Sequence, residues 1–573
     1  MQKFFILFLL HLIIPPINAQ WNNDVSLNTS VCTASFKQKE IRLTSDSDGG
    51  AFVVWRDYRT GTTFEESDIY IQKIDSNGYA EWTIDGLGLC ILPSNQGTPS
   101  VINDEKGGVI VAWTDRRTGG EDIYAQRIDA NGNVLWAQNG VVVCNKPNKE
   151  HSAKIISDDH SGMIAVWEDM RVDSTFNIWA QRIDSSGNSL WGNGGISVCT
   201  ENSNRINHKV QRNRDGGAII AWQDLREGTL NYDIYIQNID SDGSLLWGNN
   251  GKPVCNAPNN QTNPKIDPEK KANGVFVSWV DKRNNIDYDV YSNRIDSNGN
   301  FMWGSAGKPV VVSTGNQSAI DILSNNKTNG LIITWKDNRS SVLDIYAQKL
   351  DMDGNQEWQT NGVALCNTIT DAKNPNIISD KNGGAIITWQ DRRNGSWDIY
   401  SQRISYNGNP VWQNNGEPIS IAINDQTGPK NIPDNKGGTI ISWEDKRGGF
   451  SKDIYIHHFL KEDTVTYLED TAIIVNPTDT IIDTVSSVTN TLALDLKIYP
   501  NPFESQLILV LENPKSFTYR IVDLLGKELK NIGLKHAENQ IKIEFSRNQL
   551  TKGNYFLLIA NDNIVRSVMI NKK

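Results

Sequence analysis

The chain has 573 residues, of which 38% are hydrophobic and 21% charged, a balance typical of a soluble globular protein rather than a disordered or fibrous one. Its 56 Lys and Arg stand against 67 Asp and Glu, a net charge of −11, which argues against non-specific nucleic-acid binding because that needs a basic surface. Eighteen Trp and 45 Gly beside only 7 His point to an all-β chain with many tight turns.

The N-terminus opens with Lys3, the apolar run FFILFLLHLII and a small-residue end at Ala19. This pattern reads as a secretory signal peptide over 1–19, cleaved after Ala19. The run is far below the roughly 20 residues needed to cross a bilayer. No other stretch is long and apolar enough, so no transmembrane segment is expected in the mature chain.

Residues 20–460 repeat. The pattern G-x4-W-x-D-x-R recurs at Trp55, Trp113, Trp167, Trp222, Trp279, Trp335, Trp389 and Trp443, a period of about 55 residues. Apolar runs such as FVVW and IITW precede each Trp and predict strands buried on both faces. Next comes a strand of the DIYAQRID type, then a turn such as ANG. A second Trp follows (Trp82, Trp136, Trp191, Trp247, Trp303, Trp358, Trp412), then a strand of the GVVVC type. About four short strands per unit, none able to bury both faces alone, predict a β-propeller. The last unit stops after DIYIHHFL and lacks its second Trp, while Trp21–Cys32 supplies the missing piece at the mature N-terminus. The expectation is an eight-bladed propeller closed by that N-terminal strand. Seven blades with one unit displaced is the chief alternative. The hairpin carrying Asp129, Gly132 and Trp136 is similar to the tryptophan-docking hairpin of quinoprotein propellers, with a turn one residue shorter. The resemblance implies Trp packing between blades and nothing about a quinone.

The repeat register also sorts the candidate chemistry. Cys90, Cys144, Cys199, Cys255 and Cys366 occupy one slot in successive units, with Cys32 in the closing strand. Equivalent slots in different blades lie beyond the roughly 7 Å Cα reach of a disulfide, so buried thiols acting as apolar filler are expected, and metal ligation is excluded on the same ground. A carboxylate and an arginine present in every W-x-D-x-R read as a blade-holding pair, since catalysis needs its groups once. The D-x-D-G stretches at Asp240 and Asp351 align with DSNG and DANG turns, so they read as turns and not calcium loops. The histidines show no metal or triad spacing. Between the Arg and DIY lies a variable stretch with an aromatic residue in six units: Phe64, Phe176, Tyr232, Tyr288, Trp397 and Phe450. These rings either stack on a ligand or pack where the next strand begins. Phe176, Tyr232, Tyr288 and Trp397 are taken as the candidate ligand-binding residues. No catalytic residue, metal site or cofactor is assigned.

Residues 461–493 are Thr/Asp-rich and read as a linker. Four Asp-Thr-aliphatic triplets, at Asp463, Asp470, Asp479 and Asp483, resemble O-glycosylation acceptors of exported Bacteroidota proteins. From 494 onward, period-2 apolar alternation broken by turns predicts a small immunoglobulin-like β-sandwich. This segment carries Tyr499, Pro500, Asn501, Pro502 and Phe503, then Val522, Asp523 and Gly526, then Gly553, Asn554 and Tyr555, and a basic tail. It resembles the type A C-terminal sorting domain of the type IX secretion system of Bacteroidota. The resemblance implies handling by that secretion machinery, passage across the outer membrane, and attachment to the cell surface or release. Together these readings describe an exported, non-enzymatic binding module for a glycan or a protein. A secreted polysaccharide hydrolase or lyase using the propeller face is the alternative.

Overall fold

A computed structural model of the protein describes residues 21–60, 66–172, 175–201, 203–227, 231–270, 272–325, 327, 329–449 and 451–461, together with the backbone of seven strands between 496 and 572. Ala19, Phe64, Phe450, the linker triplets, Pro500–Phe503, Asp523 and Gly526 lie outside the described residues. The chain divides into two compact units, Met1–Thr466 and Tyr467–Lys573.

The first unit is an eight-bladed propeller, built only from strands among the described residues. Each blade is one four-stranded antiparallel sheet in chain order, as in blade 1 with its inner strand Gln38–Ser45, second strand Ala51–Asp57, third strand Asp68–Ile74 and outer strand Leu87–Cys90. The final blade takes its outer strand from the other end of the chain: Thr29–Cys32 pairs antiparallel with Asp453–Phe459, with Thr29 opposite Ile456. The eight-bladed reading and the N-terminal closure are thus both present.

Second strands are buried on both faces, from AFVVWRD in blade 1 to TIISWED in blade 8, because the sheets of adjacent blades cover them on either side. The Gly that opens each G-x4-W is required by space. A Cβ on Gly50 would lie 2.2 Å from the Ile74 carbonyl oxygen, and one on Gly108 2.2 Å from that of Ile128.

The W-x-D-x-R motif is a clasp inside each blade. The indole N–H donates to the Asp two residues on in all eight, at 2.7–3.2 Å. The same carboxylate accepts from the Arg guanidinium at 2.5–2.7 Å. That guanidinium also lies 3.7–4.2 Å from the ring at the Tyr position of DIY, which is Trp179 in blade 3. In six blades a cysteine fills the slot beside it, with Val311 and Ser420 in the other two. All six are free and buried, and burial pushes the Cys90 thiol up to about 12.

The second Trp series joins one blade to the next. Trp136 Nε1 donates to the Ser185 carbonyl at 3.0 Å and Trp358 Nε1 to that of Tyr406 at 3.0 Å. At the seam Trp21 does the same to Ser76, at 2.8 Å. Each ring lies flat on the turn glycine of the following blade, where φ is positive. On Gly78, at φ +92°, a Cβ would stand 2.9 Å from the Trp21 ring. Trp412 is the exception. The sequence after Phe459 carries no turn glycine of this kind; Trp412 packs edge-on against Phe459 with centroids 4.9 Å apart, and its indole N–H has no partner among the described residues.

The second unit contains two antiparallel sheets. One joins Leu496–Tyr499, Gln506–Leu511 and Gln540–Glu544; the other joins Glu528–Lys535, Phe517–Val522, Gly553–Asn561 and Ile564–Lys572. Tyr499 closes the first strand and Gly553 opens the penultimate one, which also holds Tyr555.

Because Trp21 is 7% exposed, Trp21→Ala is expected to cost about 3–5 kcal/mol, as for other large-to-small changes at buried aromatic positions. Gly78→Ala attacks the same contact from the other side and should cost at least ~1 kcal/mol. Urea unfolding of the mature chain measures both. Changes below ~0.5 kcal/mol would mean that this joint does not hold the ring.

Candidate ligand face and axial channel

The loops joining second to third strands share one face of the ring with the connections that enter each new blade. In all eight junctions the first residue of an inner strand donates its backbone N–H to the carbonyl of the residue just before the preceding blade's DIY strand. Examples are Gln261 to Tyr232 at 2.7 Å, Arg205 to Phe176 at 2.7 Å and Gln317 to Tyr288 at 2.7 Å. The four candidate aromatic residues all occupy that one register position, in blades 3, 4, 5 and 7. They are therefore fixed by their backbones at blade junctions, with rings half-buried.

Each ring has a polar neighbour. His151 meets Phe176 edge-on at 4.7 Å, and Asn204 Nδ2 donates to the Tyr232 hydroxyl at 3.3 Å. Lys282 lies 5.5 Å from the Tyr288 centroid and Lys373 4.0 Å from that of Trp397. The rings stand at four separate junctions and do not converge on a common pocket.

Blades 2 to 4 break the eightfold symmetry. Glu168 stands between two imidazoles, with His151 Nε2 at 3.2 Å and His208 Nδ1 at 3.4 Å, and Glu121 reaches His151 Nδ1 at 3.5 Å. Burial alone would push Glu121 up, but hydrogen bonds from His151 and Arg116 bring it down to about 2. His208 is 1% exposed and its Nε2 is 2.9 Å from the Val166 carbonyl, so only His151 reaches the face.

The first position of the inner strand is Gln in blades 1, 2, 5, 6 and 8 and departs from it in blades 3, 4 and 7, where blade 7 has Ala372. Arg205 takes it in blade 4 and donates to Asp224 at 3.1 Å and to Asn177, the one residue that replaces the DIY aspartate. In blade 3 it is Glu150, fully buried. Burial first, then the neighbouring Asp169 and Asp122, push its carboxyl up to about 8; protonated, it reproduces the glutamine of its siblings. Cys144, Glu150 and Asp169 bring ligand-type atoms within 4.8 Å of one another. Arg171 Nη2 already donates to both Cys144 Sγ, at 2.8 Å, and Asp169, at 2.5 Å, so a cation there would face a guanidinium.

The axis is lined by inner strands, and every one carries a bulge just inside this face. The bulged residue has positive φ in each blade: Glu40, Thr98, Ser152, Asn207, Asn263, Ala319, Asn374 and Gly428, between 47° and 64°. Seven of these are not glycine, and a β-branched Thr in this region is strained. Two residues further along lies a ring of Arg42, Ser100, Lys154, Lys209, Lys265, Asp321, Asn376 and Lys430. A cavity of about 330 Å³ opens between the two levels, lined by Asn207, Lys209, Lys265, Asn374 and Lys430 among others.

Sequence patterning missed these axial residues. A bulge shifts the alternation of each inner strand, and their identities vary from blade to blade. It also missed the buried amide of the third strand. Gln126 Oε1 accepts from the Trp136 N–H at 3.1 Å while its Nε2 donates to the Ala137 carbonyl at 2.7 Å, and Gln or Asn does so in seven blades. The recurrence of Gln two residues after DIY's tyrosine was the available signal.

Glu150 yields a pH test with a definite sign. Its folded pKa of about 8 lies above the ordinary 4.5, so the stability of the protonated form is complete below 4.5 and is lost as pH rises through 8. Glu150→Gln should match the parent at pH 4 and exceed it by a few kcal/mol, on the order of 2–4, at pH 9. Urea unfolding at the two pH values reads this out, and a pH-independent difference would contradict it.

None of the curated proteins matches the chain. Solved structures similar to it include a protein of unknown function from Dyadobacter fermentans, with 12% identity, 65% of this chain and 95% of that one covered, and a TM-score of 0.35. An ulvan lyase bound to -[GlcA(1-4)Rha3S]- gives 10% identity, coverage of 65% and 95%, and a TM-score of 0.39. An endo-arabinase from Bacteroides thetaiotaomicron gives 14% identity, coverage of 45% and 94%, and a TM-score of 0.27. At the C-terminus, residues 497–571 match the family described as the secretion system C-terminal sorting domain. The chain thus ends in a type IX secretion sorting domain, and the protein is exported to the cell surface or secreted.

Proposed function

We propose that the protein is a non-enzymatic binding module, delivered by type IX secretion, whose propeller face takes a glycan or a protein. The observation that carries this reading is the saturation of the repeated polar groups. All eight W-x-D-x-R carboxylates are occupied by an indole and a guanidinium of their own blade, so none serves as a free acid, base or nucleophile. What the face offers a partner is half-buried rings beside amides and lysines, surfaces suited to stacking and hydrogen bonding. In this reading residues 1–19 are removed, 20–460 bind, 461–493 form a spacer open to O-glycosylation, and 494–573 form an immunoglobulin-like sandwich read by the secretion machinery.

A second reading, a polysaccharide hydrolase or lyase, draws on His151. Among the described residues it is the one imidazole that combines access to the face with two carboxylate partners, Glu121 and Glu168. A positioned imidazole of this kind is able to move a proton.

The mature chain, immobilised and offered a panel of glycans and cell-wall polymers, should retain at least one without releasing product. Trp397→Ala and Tyr232→Ala should each weaken retention about tenfold, the loss of one stacked ring. Product formed in proportion to protein, and abolished by His151→Ala, would replace the first reading by the second. In a host with type IX secretion, deleting 494–573 should leave the propeller in the periplasm. Fractionation and immunoblotting measure this, and surface display of the truncated chain would refute the assigned role of the tail.

A further inference from the structure

The axial channel is cationic in a protein that is acidic overall, with a net charge of −11. Five of the eight residues in the second axial ring are Arg42, Lys154, Lys209, Lys265 and Lys430, and only Asp321 opposes them. Asp321 is already engaged: one oxygen meets Lys265 Nζ at 3.0 Å and the other accepts the Ile377 N–H at 3.1 Å.

The other carboxylates near the axis are engaged as well. Glu40 receives Arg56 at 3.0 Å and the Thr98 N–H at 2.8 Å. Glu168 receives the Asn207 N–H at 2.6 Å besides its histidines. Glu444 receives the Glu40 N–H at 2.8 Å and Lys452 at 2.5 Å. Asp267 accepts the Ser324 N–H at 2.7 Å. Among the described residues no carboxylate forms an ion pair with Arg42, Lys154, Lys209 or Lys430. Lys209 is held only by neutral acceptors, Asn207 Oδ1 at 2.7 Å and the His208 carbonyl at 3.1 Å.

The bulge adds donors at the same place. In four junctions the N–H of the bulged residue is taken by the side chain that stands between Trp and Asp in the preceding blade: Glu444, Glu168, Gln223 and Gln390. Val280 and Lys336 hold that position before Ala319 and Asn374, and neither side chain can accept a hydrogen bond. Ala319 and Asn374 line the same cavity as Lys209, Lys265 and Lys430.

We propose that this cavity is an anion-binding site. It takes one oxyanion group, a carboxylate or a sulfate, between Lys209, Lys265 and Lys430, with Arg42 and Lys154 completing the field at the same level. Clustered cations that lack counter-charges repel one another, and an oxyanion converts that repulsion into charge-assisted hydrogen bonds. Burial, together with the other cations of the ring, brings Lys154 and Lys430 down to about 8 and Lys209 down to about 7. The chemistry is shared by a free inorganic anion and by the acidic group of a saccharide. It stands apart from the aromatic face: a protein that ignores every neutral glycan would still bind at the axis.

The test uses the full mature chain. Thermal midpoints are compared in sodium sulfate and sodium chloride at equal ionic strength, and calorimetry follows with a glucuronate oligosaccharide and its carboxyl-reduced, neutral counterpart. Sulfate should raise the midpoint over chloride, and the glucuronate oligosaccharide should bind where the reduced one does not. Sulfate also stabilises folded proteins generally by exclusion from their surface, so a response to sulfate without the oligosaccharide keeps the site, and assigns it to a free anion, only where the Lys209→Gln, Lys430→Gln variant loses it; an equal response in that variant overturns the proposal. Lys209→Gln with Lys430→Gln should weaken binding at least tenfold, while the unliganded midpoint stays level or rises as like charges are removed. Asp321→Asn, which keeps an acceptor for Ile377, should tighten binding several-fold. Equal midpoints in sulfate and chloride, equal binding of the reduced oligosaccharide, or a double variant that binds as its parent does would each overturn the proposal.

Discussion

One carboxylate per blade organises the propeller. The aspartate of W-x-D-x-R is fully buried in every blade, a position that is costly for a charge unless it is paired and hydrogen-bonded throughout. Its oxygens collect an indole N–H, a guanidinium and the backbone N–H of the same arginine, as at Asp57. The arginine in turn reaches a carbonyl in the hairpin that follows the third strand, Asn139 for Arg117 and Asn415 for Arg393, and lies flat on the DIY tyrosine. One ion pair therefore joins the second strand, the third strand and the approach to the outer strand. A substitution that removed the arginine alone would leave a buried carboxylate short of its counter-charge, which is worse than losing both partners.

With stability vested in the middle and outer strands, the inner strand is left comparatively unconstrained. Its first residue must donate to the previous blade, and its third must tolerate the bulge. The next axial position carries Arg, Ser, Lys, Asp or Asn without disturbing the fold, and there the protein concentrates charge. The same freedom explains blades 2 to 4, where Glu150, Arg205 and the His151–Glu168–His208 group are accommodated by partner changes one junction away, as when Asn177 meets Arg205.

Most of the propeller was legible in the residues because its joints repeat. Eight tryptophans of one motif, 54 to 58 residues apart, disclosed the blades, and the truncated last unit, read beside Trp21, disclosed the closure. The inner strand was not legible for a physical reason. The bulge at Glu40 and its equivalents breaks the alternation by which QKEIRLTS would be divided into two faces, so Arg42 and Lys209 look like ordinary solvent-facing residues. Buried glutamines such as Gln126 mislead in the opposite sense, since a polar residue at alternate spacing reads as exposed. Phe176, Tyr232, Tyr288 and Trp397 were found as a variable aromatic set. That they share a junction whose carbonyl is already bonded is a fact of the fold and not of their spacing.

The seam at blade 8 rests on a strand of four residues, Thr29–Cys32, no longer than the outer strand of an ordinary blade such as Leu87–Cys90, and loop-closure entropy explains why the seam needs nothing longer. Joining the two ends of the propeller closes a loop about eight times longer than a single repeat. Yet the chain entropy lost on closure grows only with the logarithm of length, about 0.6 kcal/mol for each doubling, so the whole ring costs about 2 kcal/mol more to close than one blade. A few backbone hydrogen bonds and one docked indole are enough to meet that difference. For this architecture, enlarging the ring by another repeat would burden the latch by only about 0.1–0.2 kcal/mol.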